Sequence, residues 1–307
     1  MKIIRLQDQG LISAAASALF LGLSPIFGKK AILLGFSPFA VVAFRTTLAL
    51  LLLLCFLLIY NRKFFYIYPM GLTGCLIAGF INGIGSIFYY TSLARIDAGI
   101  GQLIYSFYPL FMIFWLLLDR QSVTKITLFR LIIILPGVYL LLNNSYHSID
   151  YLGALFMLIA AILYSLHLLI NQRVLYDVPA PTVTFYTLAA MSVIVVSSFL
   201  LFSPALPQIG TPWWPLLVLS VVTFLSRVTL FYGVKHLGGI QTALLGLGEI
   251  LITVIIAQIY LGERLSPLQW IGTFVILCSL VLVVFEKSTV KKMTGKGFLH
   301  WLRPPSL

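Results

Sequence analysis

Acidic side chains are almost missing from this chain: only eight Asp and Glu stand among 307 residues, and charged residues of both signs make up 9%. A water-soluble domain could not keep its surface wet on so little charge, so the composition excludes one. Histidine is scarce as well. His147, His167, His236 and His300 are dispersed, and the acids form no paired motif with them. That leaves an intramembrane enzyme without a nucleophile, base or ligand set to build on. The three cysteines, Cys55, Cys75 and Cys278, are odd in number and far apart, which excludes a disulfide framework or a thiolate metal site. Each lies in an apolar run, where a packing role is expected. No connecting stretch is long enough for a soluble domain, and no ring of acids or filter-like loop marks a channel.

What is present is hydrophobic. Apolar residues make up 61% of the chain and the mean hydropathy is +1.06, the composition of an integral membrane protein. The apolar runs predict an all-α fold of ten transmembrane helices: 10–28, 38–60, 69–93, 98–118, 126–142, 152–172, 182–202, 213–234, 240–262 and 267–285. Turn residues separate them, among them Gly35, Asn61, Asp97, Pro179 with Pro181, and Gly238-Gly239. The first run reads as an uncleaved helix, because its small residues, Ala14 to Ala18, precede most of the apolar stretch.

The net charge of +12 does not signal nucleic acid, because the basic residues sit at helix ends and in the tail. With the N-terminus inside, fourteen Lys and Arg fall on cytoplasmic ends. Four fall on outer ends: Lys29, Lys30, Arg95 and Arg264. The positive-inside rule then predicts both termini in the cytoplasm of a cell that keeps the protein in its inner, or plasma, membrane. The basic tail, 286–307, with Phe298 and Trp301, is expected against anionic lipid headgroups.

The two halves resemble each other. Gly10 aligns with Gly153, Lys30 with Arg173 and Pro38 with Pro181 at an offset of 143. Tyr90 with Tyr232 and Val123-Thr124 with Leu265-Ser266 follow at 142. Five spans per unit is odd, so the second unit enters the membrane upside down. Such inverted repeats build secondary transporters with a midplane site. The expected units are 10–142 and 150–285.

Ionisable groups inside the spans are the candidate site residues, because charge in hydrocarbon needs a partner, water or a function. Glu249 lies ten residues after Gly239, about 15 Å in, near the middle of the membrane. It serves either as a substrate or proton ligand or as half of a structural ion pair. Arg227 lies ~12 Å from the inner end, where it meets a substrate carboxylate, with Ser226 and Thr229 adding hydrogen-bond donors, or snorkels to water. Arg45 lies about 10 Å from the outer end, within snorkelling reach of water. Tyr105 and Ser106 are the expected pocket residues of an aromatic group that includes Tyr89, Tyr90, Phe107 and Tyr108. The other aromatics are expected in interfacial and packing positions. Gly79 to Ser86 is a close-packing face on which Asn82 is the polar exception and a cavity candidate. His167 is either a proton relay or an interhelical hydrogen-bond donor.

Several stretches resemble the EamA family of the drug/metabolite transporter superfamily. They are Phe44-Arg45-Thr46-Thr47-Leu48-Ala49 in the second span, the corner Tyr89 to Ala98, Pro109 in the fourth span, and the ninth-span ending Leu261-Gly262-Glu263-Arg264-Leu265-Ser266. The resemblance implies ten spans in two five-helix repeats, export of amino acids or other small metabolites, and, because an arginine recurs at the position of Arg45, a gate or structural anchor there in preference to direct substrate contact. Two positions depart from the family pattern: Ile250 stands where proline is usual, and Leu118-Asp119-Arg120-Gln121-Ser122 replaces a Gly-Glu ending.

The expected function is therefore a carrier, not an enzyme, that exports a small metabolite by alternating access. Drug-like solutes or organic cations are the alternative cargo, and a channel is the alternative class. Expected partners are the small-molecule substrate, a proton or exchanged solute as coupling species, and membrane lipids. A homodimer stays open; no nucleic acid, metal or cofactor is expected.

Overall fold

A computed structural model describes residues 2–60, 62–119, 150–246, 248–263 and 266–281, with isolated positions between 129 and 140 and Leu299. Most of the expected fifth span, the Arg264-Leu265 pair, and the tail 286–307 apart from Leu299 lie outside the described residues. Among the described residues the fold is all-helical. Its helices are α1 (Lys2–Leu33), α2 (Pro38–Tyr60), α3 (Pro69–Leu93), α4 (Ala98–Tyr105), α5 (Tyr108–Leu118) and α6 (Tyr151–Leu175). They continue as α7 (Ala180–Phe202), α8 (Trp214–Leu237), α9 (Gly239–Gly246), α10 (Gly248–Ile256) with a π-helical turn at Ala257–Leu261, and α11 (Pro267–Val281).

Among the described residues seven stretches are long and apolar enough to cross a membrane, counting α4 and α5 as one, and Gly248–Leu261 is a shorter apolar helix. Proline sets many of the starts. It stands in the first two positions of α3, α5, α7 and α8, where the missing N–H costs nothing. Asp150 caps α6 by accepting from the Gly153 N–H at 3.0 Å. Gly238, at φ +90°, turns the chain from α8 into α9, a backbone conformation that side-chain-bearing residues avoid.

Two expected spans are interrupted. The fourth consists of α4 and α5, because Pro109 has no N–H to donate to the carbonyl of Tyr105 and the bonding slips to shorter turns at Phe107 and Leu110. The ninth consists of α9, α10 and the π turn. The first helix runs beyond its expected ends, from Lys2 to Leu33, straight through Pro25.

Burial is inverted relative to a soluble protein. Ile59, Leu201, Ile259 and Phe274 are exposed, whereas Arg45, Arg227, Glu249 and His167 are buried. Lipid solvates the first set as well as a protein core would, so the interior is left for close packing and polar groups. The same reason corrects the packing role expected for the cysteines. Cys75 is buried, but Cys55 and Cys278 are exposed.

Packing is reciprocal. α1 lies along α8 and α3 along α6; α2 packs on α7; α3 meets α7 as α2 meets α8; α1 meets α10 as α5 meets α6. Gly79 seats α3 so closely on α7 that a Cβ there would sit 2.5 Å from the carbonyl oxygen of Thr187. Two hydrophobic cores result, one around Met112, Leu168 and Phe231 and one around Ile26, Leu53 and Leu216. Tyr105 packs against both.

Candidate functional site

A cavity of about 50 Å³ lies between the two cores, lined from α1, α2, α3, α4, α6, α8 and α10. Five of the seven expected site residues line it: Arg45, Asn82, Tyr105, Arg227 and Glu249. They converge although they come from five different helices. Ser106 does not line it; its hydroxyl bonds back to the carbonyl of Leu103, a common way to satisfy a hydroxyl inside a helix. His167 does not line it either. Its Nδ1 faces the carbonyl of Ala78 at 3.0 Å, and its ring stacks behind Tyr164 with centroids 5.8 Å apart. Asn171 then joins the His167 carbonyl to the Thr187 hydroxyl, so this histidine sits in a network that ties α6 to α3 and α7.

The Arg45 guanidinium donates to Ser86 Oγ at 3.2 Å and to Thr223 Oγ1 at 3.4 Å, and lies 4.7 Å from the centre of the Tyr90 ring. It thereby connects α2 to α3 and α8. The Arg227 guanidinium lies 5.8 Å from the Tyr164 ring centre. On α10, Glu249 is hydrogen-bonded by Gln102, whose own carbonyl oxygen accepts from Tyr89 Oη at 3.0 Å. Asn82 spends one donor on Met191 Sδ at 3.2 Å.

Several polar atoms here stay unmatched. Arg45 Nε, Arg227 Nη1, Glu249 Oε1 and Tyr90 Oη are all buried with no hydrogen-bond partner among the described residues. No ion pair joins Glu249 to either arginine among the described residues. Buried polar atoms are nearly always paired. Four open valences around one cavity are what a binding site for a charged solute presents before the solute contributes its own atoms.

The sequence pointed to the charges but not to all of the lining. Tyr89 and Tyr90, expected at an interface or in packing, line the cavity, as do Gln102, Tyr164 and Ser86; Ser226, expected to add a donor beside Arg227, lines it too, whereas the Thr229 hydroxyl, the other expected donor, bonds back to the carbonyl of Leu225. For Gln102 a signal existed, an uncharged amide within an apolar span. For the tyrosines none did.

Closed, hydrogen-bonded helix ends flank the cavity. At one end the Glu263 carboxylate accepts from the N–H groups of Ala98 and Gly99, both at 2.9 Å, and so fastens the end of the ninth expected span to the start of α4. Burial raises the Glu263 carboxyl above its ordinary value, against the opposing pull of those two N–H groups. Nearby, Lys29 Nζ donates to the carbonyls of Leu93 and Ile96 at 2.7 and 2.9 Å. At the other end Arg173 pairs with Asp119, and Lys235 donates to the carbonyl of Val178 at 3.0 Å.

Membrane-length helices that close around a charged, polar cavity define a multi-pass membrane protein of the transporter class. The chain belongs to the EamA-like transporter family, within the drug/metabolite transporter superfamily: the family pattern matches residues 8–143 and again 151–285. It is 24% identical over 319 aligned positions to the uncharacterized transporter YcbK of Bacillus subtilis (strain 168), covering 95% of this chain and 99% of that one. An uncharacterized transporter of Archaeoglobus fulgidus is 24% identical over 194 positions, 63% of this chain and 70% of its own. A solved crystal structure superposes with a TM-score of 0.64 at 17% identity, covering 88% of this chain and 96% of the other, which establishes likeness of fold.

Proposed function

We propose that this chain is a ten-span secondary transporter, built from two inverted repeats at 10–142 and 150–285, that exports small metabolites such as amino acids by alternating access. Both termini lie in the cytoplasm in this reading, and the membrane is the inner, or plasma, membrane. The observation that carries it is the cavity, with Arg227 and Glu249 as complementary but unjoined charges beneath bonded helix ends. Arg227 takes a substrate carboxylate and Glu249 its ammonium, while Tyr105 and Asn82 complete the lining. Arg45 holds α2, α3 and α8 together at the rim of the site. The reciprocal packing of α1 with α8 and of α3 with α6 supports the inverted repeat.

The cavity is far smaller than the several hundred Å³ of a drug-sized ligand site, so substrate entry requires one end to open. The Glu263 and Lys29 contacts are the bonds to break at the outer end; Asp119–Arg173 is the counterpart at the inner end. Organic cations fit less well, because two buried guanidinium groups repel them. The direct test is counterflow in proteoliposomes loaded with single candidate solutes. Saturable trans-stimulation that disappears in Glu249→Gln supports the carrier reading. Non-saturating flux without counterflow would replace it with a channel.

A further inference from the structure

The charge in the cavity narrows the solute further than "small metabolite". Two guanidinium groups, Arg45 and Arg227, and one carboxyl group, Glu249, line it. An ordinary zwitterion brings one positive and one negative charge. It would satisfy Arg227 and Glu249 and leave Arg45 a buried cation with no counter-charge. An uncompensated charge at membrane depth is costly, which favours any solute that supplies the missing anion.

Hydrogen bonding makes the same demand from a different direction. Arg45 spends Nη1 and Nη2 on Thr223 and Ser86 but, among the described residues, leaves Nε without a partner. Arg227 leaves Nη1 without one, and Glu249 leaves Oε1. Guanidinium nitrogens only donate, and a carboxylate only accepts. The complementary solute therefore offers acceptor oxygens to two separate arginines on α2 and α8, and a donor to Glu249 on α10. Tyr90 Oη, which has no partner of its own, can serve the oxygen held by Arg45, since the Arg45 guanidinium already lies over its ring.

We infer that the transported solute is an amino acid with a second acidic group: two carboxylates, one for Arg45 and one for Arg227, and an ammonium for Glu249. Resting on the carrier reading above, this makes Arg45 a substrate ligand as well as an anchor between helices. Such a solute carries a net charge of minus one, so the loaded site is neutral.

The test is counterflow with wild-type protein in proteoliposomes. It compares glutamate and aspartate with glutamine and asparagine, and with amine-free dicarboxylates such as succinate and glutarate. The expected result is exchange of the acidic amino acids at least about tenfold above their amides and above the amine-free diacids, because each analogue leaves a buried group unmatched. The variants should then exchange specificities. Glu249→Gln favours the amine-free diacids, whose two negative charges match two arginines, and Arg45→Gln favours glutamine over glutamate. The inference fails, with the carrier reading intact, if wild-type protein exchanges glutamine as readily as glutamate. If no amino acid or diacid exchanges at all, this inference and the amino-acid cargo both fall, and the carrier reading is decided by counterflow with the other candidate solutes. Because the wild-type comparison decides the matter, a variant that does not fold leaves the test standing.

Discussion

Two regions of this molecule bury ionisable side chains in opposite ways. At the helix ends around α4, Glu263 has both carboxylate oxygens bonded to backbone N–H groups, and Lys29 is spent on two backbone carbonyls. In the cavity, Arg45, Arg227 and Glu249 are buried where Glu263 and Lys29 are half-buried, yet each keeps an atom unpaired among the described residues. A buried charge with its partners complete does structural work, since it satisfies helix termini that would otherwise stay open. A buried charge with an open valence is destabilising as it stands, and persists where a ligand is to complete it.

That contrast breaks most sharply under substitution. Neutralising Arg227 or Glu249 should lower exchange on the order of a hundredfold through loss of a charge-assisted hydrogen bond, while thermal unfolding in detergent changes little or moves upward. A large fall in unfolding temperature instead would place these charges with the structural group. Next in size is steric. A Cβ at Gly22 would lie 2.7 Å from the carbonyl oxygen of Glu249 and 2.8 Å from the Ile252 Cβ, so Gly22→Val must drive α1 off α10. About 1–3 kcal/mol of stability should go with it, read by the same unfolding assay, and exchange should fall too because α10 carries Glu249.

Glu263→Ala should have the reverse profile to Glu249→Gln. Losing the acceptor for Ala98 and Gly99 should cost about 1–2 kcal/mol in unfolding, while exchange falls only a few-fold, through lost protein and a looser outer closure, far less than in Glu249→Gln. Equal stability with abolished exchange would show that the clasp belongs with the cavity. The smallest effect is expected at Asp150, whose carboxyl is held below its ordinary value first by the Gly153 N–H and also by Arg95, 2.9 Å away. A depressed carboxyl contributes stability above the unfolded value of about 3.9, lost as pH falls through the lower folded value. Wild-type protein should therefore keep a small, constant advantage over Asp150→Ala from neutral pH down to about 4, shrinking only below that. An advantage that is gone well above pH 4 would refute the assignment.

How far the sequence reached can be read from particular residues. Arg45, Arg227 and Glu249 stood out because a charge inside an apolar run is conspicuous wherever the fold puts it. Pro38, Pro69 and Gly238 marked element boundaries because their backbone limits are local. Tyr89, Tyr90 and Tyr164 gave no such signal. In a helix that is apolar all round, a tyrosine facing lipid, a neighbour or a cavity is written the same way. Gln102 did carry a signal as an amide in an apolar span, but Ser106 is polar in the same span, and nothing local says which of the two reaches the cavity.

The sequence by itself determined that this is an all-helical membrane protein with ionisable groups set inside its spans, and that it resembles one transporter family. Those properties follow from composition, from backbone chemistry and from the cost of charge in hydrocarbon, all of which act residue by residue. Only the tertiary structure decided that Arg45, Arg227 and Glu249 share one cavity without pairing, that Gln102 and the tyrosines join them, and that Glu263 bonds to residues 164 and 165 positions earlier in the chain. Such encounters depend on which helix faces meet, and between apolar helices that choice is made by close packing at residues such as Gly22 and Gly79, not by any local pattern.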